Sequence, residues 1–401
     1  MTDTETPGDI PPSPREAPVV VHRTGCYVKS SQNWIHTQTK HLREHAPFVL
    51  SGQTENLEQL DWVPPHYKTF GRPIATRVFD RIGKAVLGYR PALRWQLSRR
   101  DARLLHAHFG PVGYKTLSLA EAHDVPLITT FYGYDLSLLP AKEPEWIDRY
   151  QELFENGDHF LTEGRHMKQC LVDLGCPEDK ITVHHLGVEV ESIPYQPRVR
   201  SQGDPLRVLS AGRFVEKKGF PDAIRAFAQF LRRGGRGELT IVGGLQDPER
   251  DREARQELRQ RIREQNIADH VTLRGFLPHD ELLQAYLDHH VFLAPSVEAS
   301  NGDTEGGAPV TLIEASATGM AIVGTRHCDI PEVVNHGTTG LLAEEGEYDL
   351  LADHLWRLYS DSNLVSELGK AGRNRIEDQY SAAKQGQHLD AIYRSRRRAS
   401  T

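Results

Sequence analysis

Two glutamates bracket a pair of glycines in the stretch NGDTEGGAPVTLIEASATGMAIVGT, residues 301–325. Glu305 stands before residues 306–307, and Glu314 follows about one turn into a helix that we predict to begin near Pro309 or Val310. Glycines allow backbone amides to approach a ligand closely, and the unpaired N–H groups of a helix N-terminus favour phosphate. Glu314 could accept hydrogen bonds from ribose hydroxyls, and Glu305 could face a sugar. The pattern therefore predicts a site for a nucleotide that carries a sugar.

A second group of charged residues lies in the stretch SAGRFVEKKGF, residues 210–220. Arg213 follows a predicted strand, and Lys217 and Lys218 precede the next predicted helix. A guanidinium fork and an ammonium charge at a strand-to-helix turn suit a diphosphate. The chain has no P-loop signature and no GxGxxG after its first strand, which argues against P-loop NTPases and dinucleotide-dependent dehydrogenases.

The elements that would position these residues are two series of alternating strands and helices. Such alternation predicts parallel sheets that are covered by helices on both faces. The first series starts with the apolar strand VVVH and a helix capped by Ser30 or Ser31. Pro, Gly, Ser and Gln cluster in residues 194–205, where we place a linker. We therefore predict a first domain over residues 18–197 and a second domain over residues 204–378.

Residues directly after predicted strands are the strongest site candidates, because ligands of open α/β sheets bind outside the carboxyl ends of the strands. These residues are His106, His108, Tyr132, Glu163, Arg213, Gly243, Gly244, Gly275 and the loop 298–309. The chain has 20 histidines, so a single histidine is a weak indicator on its own.

The composition is that of a globular chain of 401 residues with 38% hydrophobic and 26% charged residues. No apolar run predicts a transmembrane helix, and the polar, Pro-rich start predicts a disordered leader over residues 1–17 and no signal peptide. A net charge of −7 argues against a nucleic-acid binder. We expect reduced thiols and no metal site, because the cysteines have no metal-ligand spacing; they are Cys26, Cys170, Cys176 and Cys328.

One segment departs from this acidic balance. Between Lys68 and Arg103 ten basic residues face only Asp80 and Asp101, and Phe79, Val86, Leu87 and Trp95 are interleaved with them. This segment is either a solvated helical face or a surface that docks on anionic lipid or a phosphorylated acceptor.

The motifs HAHFG, TTFYGYD, SAGRFVEKKGF, LAPSVEAS and EGGAPVTLIEASATGMAIVGT resemble those of the retaining glycosyltransferases of family 4, the glycosyl transferases group 1. The resemblance covers nearly all of residues 18–395 and is greatest to the branch that builds colanic-acid-type and other exopolysaccharides. It implies the α/β GT-B fold, in which two Rossmann-like domains face a cleft and a C-terminal helix, here within residues 379–401, crosses back to the first domain. It also implies transfer of a hexose from a UDP- or GDP-linked donor to a saccharide or lipid-linked saccharide.

The resemblance also assigns roles in the second domain. Arg213 and Lys218 would hold the donor diphosphate, Glu314 the ribose, and Glu305 the donor sugar. The family places seven residues between its two glutamates, whereas eight lie between Glu305 and Glu314. A one-residue bulge would keep the role of Glu305; otherwise Gly306 takes that register, with Glu298 as a weaker substitute. The other donor-binding candidates are Gly307, Ala308, Pro309, Val310, Thr311, Gly212, Gly275, Phe276 and Tyr132.

Tyr132 is a departure from the family, because many relatives have a histidine where this chain has the tyrosine of FYG. A phenol is a poor base at pH 7, so Tyr132 would position the sugar, and His108 is our catalytic candidate beside it, with His106 as its alternative. The acceptor would bind in the first domain near three charged residues, namely Glu163, Arg165 and Lys168.

The resemblance implies attack on the face that the leaving group departs from, with the leaving phosphate taking the acceptor proton. Arg213, Lys218 and the amides of residues 309–311 would then stabilise the leaving group in place of a metal ion. We expect a cytoplasmic enzyme, associated with the inner face of the plasma membrane through residues 68–103. The alternatives are an inactive sugar-nucleotide-binding scaffold and a GT-B sugar-nucleotide epimerase.

Overall fold

The computed structural model describes residues 10–13, 16–28 and 33–397. Most of the predicted leader and the predicted caps Ser30 and Ser31 lie outside the described residues. The chain divides into two compact units: the first consists of Met1–Glu189 and Ser381–Thr401, and the second of Val190–Tyr380.

Seven parallel strands form the sheet of the first unit: β1 (Val19–Tyr27), β2 (Ala46–Thr54), β3 (His66–Lys68), β4 (Ala102–His108), β5 (Leu127–Thr130), β6 (His159–Thr162) and β7 (Ile181–Val183). Their order across the sheet is β3-β2-β1-β4-β5-β6-β7. The chain runs outward from β1 to β3 and resumes at β4 on the other side of β1. The switch point, where ligands of such sheets bind, therefore lies between β1 and β4.

Helices connect these strands: α1 (Trp34–Lys40), α2 (Ile74–Leu87), α3 (Pro91–Arg99), α4 (Gly110–Tyr114), α5 (Leu117–His123), α6 (Gly133–Leu136), α7 (Leu138–Lys142), α8 (Glu145–Asn156) and α9 (Arg165–Asp173). Strand β1 is buried over Val19–His22, which explains why VVVH reads as a continuous apolar run.

The second unit has six parallel strands: β8 (Leu206–Ala211), β9 (Gly237–Val242), β10 (Val271–Arg274), β11 (Val291–Ala294), β12 (Ala321–Thr325) and β13 (Gly340–Ala343). Their order is β10-β9-β8-β11-β12-β13, so the switch point lies between β8 and β11. The two motifs of the predicted donor site follow these two strands, residues 212–219 after β8 and residues 295–309 after β11.

The helices of the second unit are α10 (Phe220–Arg232), α11 (Pro248–Glu264), α12 (His279–Asp288), α13 (Val310–Ala317), α14 (Ile330–Val333), α15 (Tyr348–Ser360) and α16 (Ser362–Gln379). The last helix, α17 (Ala382–Arg396), belongs to the first unit. There Asp390 accepts hydrogen bonds from the backbone N–H groups of Arg43 and Glu44 and from His45 Nδ1. None of the helices in the described residues is long and apolar enough to cross a membrane.

The segment 194–205, which the sequence suggested as a linker, packs on the second unit. Arg198 is 3% exposed and donates to the carbonyl oxygens of Tyr286 and His289. Arg200 is 7% exposed and donates to the carbonyl oxygen of Leu358. Two buried guanidinium groups therefore fix this stretch to the second unit, and the division between the units falls earlier, between Glu189 and Val190.

Candidate functional site

The turn after β8 brings two adjacent lysines to the carboxyl end of the sheet. It ends at Gly219, which has a φ of +64° and precedes α10. A Cβ at Gly219 would lie 1.7 Å from the carbonyl oxygen of Pro295, so only glycine fits there. The N–H of Val297 donates to the carbonyl oxygen of Lys217 at 3.0 Å. The turn and the loop after β11 are therefore joined through their backbones.

Lys218 forms a buried ion pair with Glu305. Its Nζ lies 2.8 Å from Oε1 and 3.0 Å from Oε2 of Glu305, whose side chain is 6% exposed. The hydroxyl of Ser296 donates to Oε1 at 2.9 Å. Burial acts to raise the pKa of Glu305, but the charge and hydrogen bond of Lys218 outweigh burial and lower it. Glu305 is therefore an ionised group that holds Lys218 in place.

The neighbouring Lys217 has a different partner. Its Nζ donates to Oδ1 of Asp303 at 2.9 Å and to the carbonyl oxygen of Thr304 at 2.6 Å. Its side chain is 7% exposed, against 14% for Lys218. Lys217 thus fixes the loop after β11, and Lys218 is the more accessible lysine of the two.

Histidine and carboxylate side chains hold the rest of this loop. The N–H of Glu305 donates to Nε2 of His327 at 3.1 Å, and Nδ1 of His327 lies 2.6 Å from Oε1 of Glu345. Because Nε2 accepts, the ring proton is on Nδ1 and points at Glu345. The N–H of Glu298 donates to the other carboxylate oxygen of Glu345 at 2.8 Å, and the Glu298 side chain is exposed.

Helix α13 begins at Val310, one of the two predicted starts, and Pro309 is its N-cap residue. The N–H groups of Leu312 and Ile313 donate to the carbonyl oxygen of Pro309. Among the described residues, no backbone acceptor is found for the N–H groups of Val310 and Thr311. Two amides at this helix N-terminus are therefore available to an anion.

Glu314, in the second turn of α13, contacts two side chains of α12. Its Oε1 lies 3.1 Å from Nε2 of His279, and its Oε2 accepts from the hydroxyl of Tyr286 at 3.5 Å. The hydrogen bond to Glu314 raises the pKa of His279. These contacts hold the carboxylate of Glu314, whose side chain is 15% exposed.

Arg213, Gly212, Gly275 and Phe276 complete the set of predicted donor residues in this unit. Arg213 is exposed, and within the described residues no ion pair of its guanidinium is found. A methyl group at Gly212 would lie 3.2 Å from the side-chain carbons of Lys218. Phe276, after β10, is 75% exposed. Arg255 donates to the carbonyl oxygens at the ends of β9 and β10, on Gly243 and Arg274.

In the first unit, Tyr132 and His108 are hydrogen-bonded to each other. The Tyr132 hydroxyl lies 2.8 Å from Nδ1 of His108, whose Nε2 lies 3.1 Å from Nδ1 of His22. Burial raises the pKa of Tyr132 and lowers that of His108, so both are neutral at pH 7. His108 is fully buried and faces Tyr132, which is 4% exposed.

Asp135 fixes the backbone at Tyr132. Its two carboxylate oxygens accept from the N–H groups of Tyr132 and Gly110, both at 2.7 Å. Burial raises the pKa of Asp135 to about 7, although both hydrogen bonds act to lower it. One carboxylate thus ties the ends of β4 and β5 together.

Among the described residues, one histidine cluster has the spacing of a metal site, with ring nitrogens of His22, His106 and His108 within 4.8 Å of one another. Both nitrogens of His106 already face hydroxyl groups at 2.6 Å, those of Tyr393 and Thr130. A metal ion would have to displace one of these contacts. No carboxylate in the cluster could balance its charge.

The predicted acceptor residues surround the start of α9. Glu163 follows β6, its carbonyl oxygen lies 2.7 Å from Nδ1 of His185, and Arg165 is the first residue of α9. Lys168 pairs with Glu178 at 2.8 Å. Arg165 is exposed, whereas Glu163 and Lys168 are half-buried.

Several residues that position the candidate site residues were not predicted from the sequence. His279 and Tyr286 lie on α12, whose sequence indicated a helix but no functional residue. Arg255 is one of many charged residues on α11, and nothing in the sequence distinguishes it from the others. The capping acid Asp135 had a detectable signal, because it follows Tyr132 by three residues as in a capping box.

Comparison with known proteins identifies the family. Residues 194–375 match the family described as glycosyl transferases group 1, and residues 33–192 match glycosyltransferase family 4. AmsK of Erwinia amylovora, an amylovoran biosynthesis glycosyltransferase, is 35% identical over 283 residues, which are 70% of this chain and 67% of AmsK. WcaL of Escherichia coli, named for colanic acid biosynthesis, is 34% identical over 69% of this chain and 66% of WcaL.

The solved structure of Anabaena HepE in complex with UDP superimposes with a TM-score of 0.76 at 15% identity, over 94% of this chain and 100% of HepE. This likeness concerns the fold, and it confirms the predicted architecture of two Rossmann-like domains. The family matches, which extend over both units, and the likeness to AmsK show that this chain belongs to the family 4 glycosyltransferases, the glycosyl transferases group 1, with the GT-B fold.

Proposed function

We propose that this chain transfers a hexose from a nucleotide diphosphate sugar to a saccharide or lipid-linked saccharide during the synthesis of a cell-surface polysaccharide. The observation that carries this proposal is the buried ion pair of Lys218 and Glu305. Glu305 belongs to the loop that leads into α13, where the backbone N–H groups of Val310 and Thr311 have no backbone acceptor among the described residues. The roles of AmsK and WcaL in amylovoran and colanic acid biosynthesis support the polysaccharide context, and the UDP in HepE supports a UDP-linked donor, with GDP as the alternative.

In the proposed reaction the bond between the anomeric carbon and the diphosphate oxygen breaks, and its electron pair stays on the phosphate. The acceptor hydroxyl attacks from the same face, so the configuration is retained, and its proton passes to the leaving phosphate oxygen. Arg213, Lys218 and the amides of Val310 and Thr311 stabilise the charge that develops on the diphosphate. These groups supply the positive charge that a metal ion would otherwise provide.

The ion pair revises the role of Glu305. Both of its oxygens face Lys218, and Oε1 also accepts from Ser296, so we assign Glu305 to holding the lysine and not to contacting the donor sugar. The one-residue difference in spacing to Glu314 agrees with this change of role. Glu314, which His279 holds in place, would accept hydrogen bonds from the ribose hydroxyls.

The remaining assignments concern orientation. The exposed ring of Phe276 would stack on the nucleobase. Tyr132 would position the donor sugar, and His108 would act through Tyr132 because it is fully buried. Glu163, Arg165 and Lys168 would contact the acceptor.

The first test is a thermal-shift series with UDP, GDP, ADP and their common sugars, each with and without EDTA. We expect one nucleotide to raise the melting temperature, its matching sugar nucleotide to raise it further, and EDTA to change neither shift. A complete loss of turnover on chelation would refute the metal-independent mechanism. Binding of a sugar nucleotide without transfer or hydrolysis would favour the scaffold alternative.

A double-mutant cycle tests the Lys218–Glu305 assignment. Lys218→Met should lower kcat by about 10²-fold or more, by analogy with loss of one oxyanion donor. It also leaves Glu305 buried and unpaired, so Lys218→Met/Glu305→Gln should recover stability but not turnover. If Glu305→Gln raised KM for the sugar and left kcat unchanged, Glu305 would be a sugar contact after all.

A further inference from the structure

Helix α2 turns its apolar residues towards solvent. Of its 14 residues only Asp80 and Gly83 are buried. The exposed apolar side chains, 50–76% accessible, are Ile74, Val78, Phe79, Ile82, Val86 and Leu87. A surface helix normally turns such a stripe towards the core, and a contiguous exposed apolar patch marks an interaction surface.

The buried side of α2 attaches it firmly to α3. Oδ1 of Asp80 accepts from the N–H of Ala92 at 3.0 Å. Gly83 lies against the ring of Pro91, where an added methyl would be only 2.3 Å away. Leu93 and Leu97 of α3 are buried in the core of the first unit. The apolar side of α2 is therefore held outward by a close helix–helix contact, beside an open groove of about 560 Å³.

Positive charge surrounds this apolar surface. Residues 68–103 contain ten basic residues and two acids, a balance of +8 in a chain whose net charge is −7. Of the two acids, Asp80 is buried in its hydrogen bond and Asp101 pairs with Arg103 at 2.6 Å. The exposed basic residues on α2 and α3 include Arg77, Arg81, Lys84, Arg94 and Arg99.

We propose that α2, with the basic residues around it, docks this protein on an anionic lipid bilayer. The apolar side chains of α2 and the exposed Trp95 of α3 insert at the boundary of headgroups and acyl chains, and the basic side chains bind lipid phosphates. A second copy of the chain is a poor partner for this surface, because two segments that each carry a net charge of +8 would repel each other. This surface lies outside the donor machinery, so it does not depend on the proposed transfer reaction.

The test is co-sedimentation of the full chain with vesicles of phosphatidylcholine, alone or with about 30% phosphatidylglycerol. We expect binding to the anionic vesicles only, and weaker binding at high salt. Arg81→Gln/Lys84→Gln should weaken binding about 25-fold, at about fivefold for each positive charge removed. Phe79→Glu/Ile82→Glu should abolish binding while the melting temperature stays unchanged, since both side chains are exposed.

Matched controls lie in the second unit. Val199 is 87% exposed, and Arg252 and Arg259 are exposed on α11, so Val199→Glu and Arg252→Gln/Arg259→Gln should bind vesicles as the wild type does. Equal binding of all variants, or no binding of the wild type, would overturn the proposal. Concentration-dependent dimerisation that Phe79→Glu/Ile82→Glu removes would assign the surface to a second copy. Nucleotide thermal shifts of the same variants report separately on the donor site.

Discussion

Acidification from pH 7.5 to 5.0 should destabilise the first unit, because its buried histidines are held neutral. Burial lowers the pKa of His22 to about 3 and those of His106 and His108 well below their usual value. The pKa of each of these histidines in the folded protein is therefore lower than its pKa of about 6.5 in the unfolded chain. The stability that these groups contribute is therefore present above about pH 6.5 and is lost as the pH falls, because only the unfolded chain takes up protons.

The magnitude follows from the linkage relation. Between pH 7.5 and 5.0 His22, whose folded pKa lies below this range, costs about 2 kcal/mol of unfolding free energy, and His106 and His108 change stability in the same direction. Asp135 acts in the opposite direction, because its folded pKa of about 7 is raised and its stabilisation returns on acidification. This gain is about the size of the loss at one histidine, so acidification still lowers the unfolding free energy of the first unit. His36, His159 and His184, with pKa values lowered to about 4, add to that loss.

The assay is urea denaturation followed by tryptophan fluorescence at pH 7.5 and 5.0. Four of the five tryptophans lie in the first unit, so the signal reports mainly on it; they are Trp34, Trp62, Trp95 and Trp146. His22→Gln should reduce the difference between the two pH values by about 2 kcal/mol, even if it lowers stability at both. An unfolding free energy that changes by less than about 1 kcal/mol between the two pH values would refute this reasoning.

Four further substitutions test single contacts. Gly219→Ala should lower the free energy of unfolding by about 2 kcal/mol or more, because its methyl group would clash with Pro295. Gly234 also has a positive φ, +90°, but has open space around it. Gly234→Ala should therefore cost only the smaller strain of the left-handed backbone in the same melting experiment. Asp135→Asn should cost about 1–3 kcal/mol in denaturant titrations, since one of two backbone N–H donors loses its acceptor. His279→Ala should raise the Kd for the nucleotide a few-fold in calorimetry and leave kcat unchanged, because Glu314 loses its support. Lys218→Ala should lower turnover by about 10²-fold, and a loss under threefold in a radiolabelled-sugar assay would contradict its role.

The sequence was sufficient for the architecture of each unit and for placing the two predicted donor motifs directly after strands. Alternation of strands and helices indicated two parallel sheets, and residues after strands β8 and β11 do meet at one switch point. The family resemblance pointed to Lys218, but the residue types alone do not separate it from Lys217, which is adjacent and chemically alike. Only the fold shows that one binds Asp303 and the other Glu305, 87 residues later.

Other features could not be predicted, because they depend on contacts between residues that are distant in the sequence and have no local sequence pattern. The Pro-rich stretch 194–205 suggested a linker between domains, yet it is fixed to the second unit by carbonyl oxygens up to 159 residues away, which accept from Arg198 and Arg200. The basic segment 68–103 suggested either a solvated helical face or a docking surface, but its sequence does not tell which side of α2 faces the core. That orientation depends on Gly83 fitting against Pro91.

The return of helix α17 to the first unit determines when that unit can finish folding during synthesis. Val190–Tyr380 is continuous in sequence, so it can fold as soon as it leaves the ribosome. The first unit must wait for the last residues, because His106 bonds the hydroxyl of Tyr393 and Asp390 holds the backbone at Arg43 and Glu44. Its nascent form exposes apolar side chains such as Leu104 and Ile128, which pack with Leu389 in the finished unit. A chain truncated before α17 should therefore need a chaperone and aggregate from its first half.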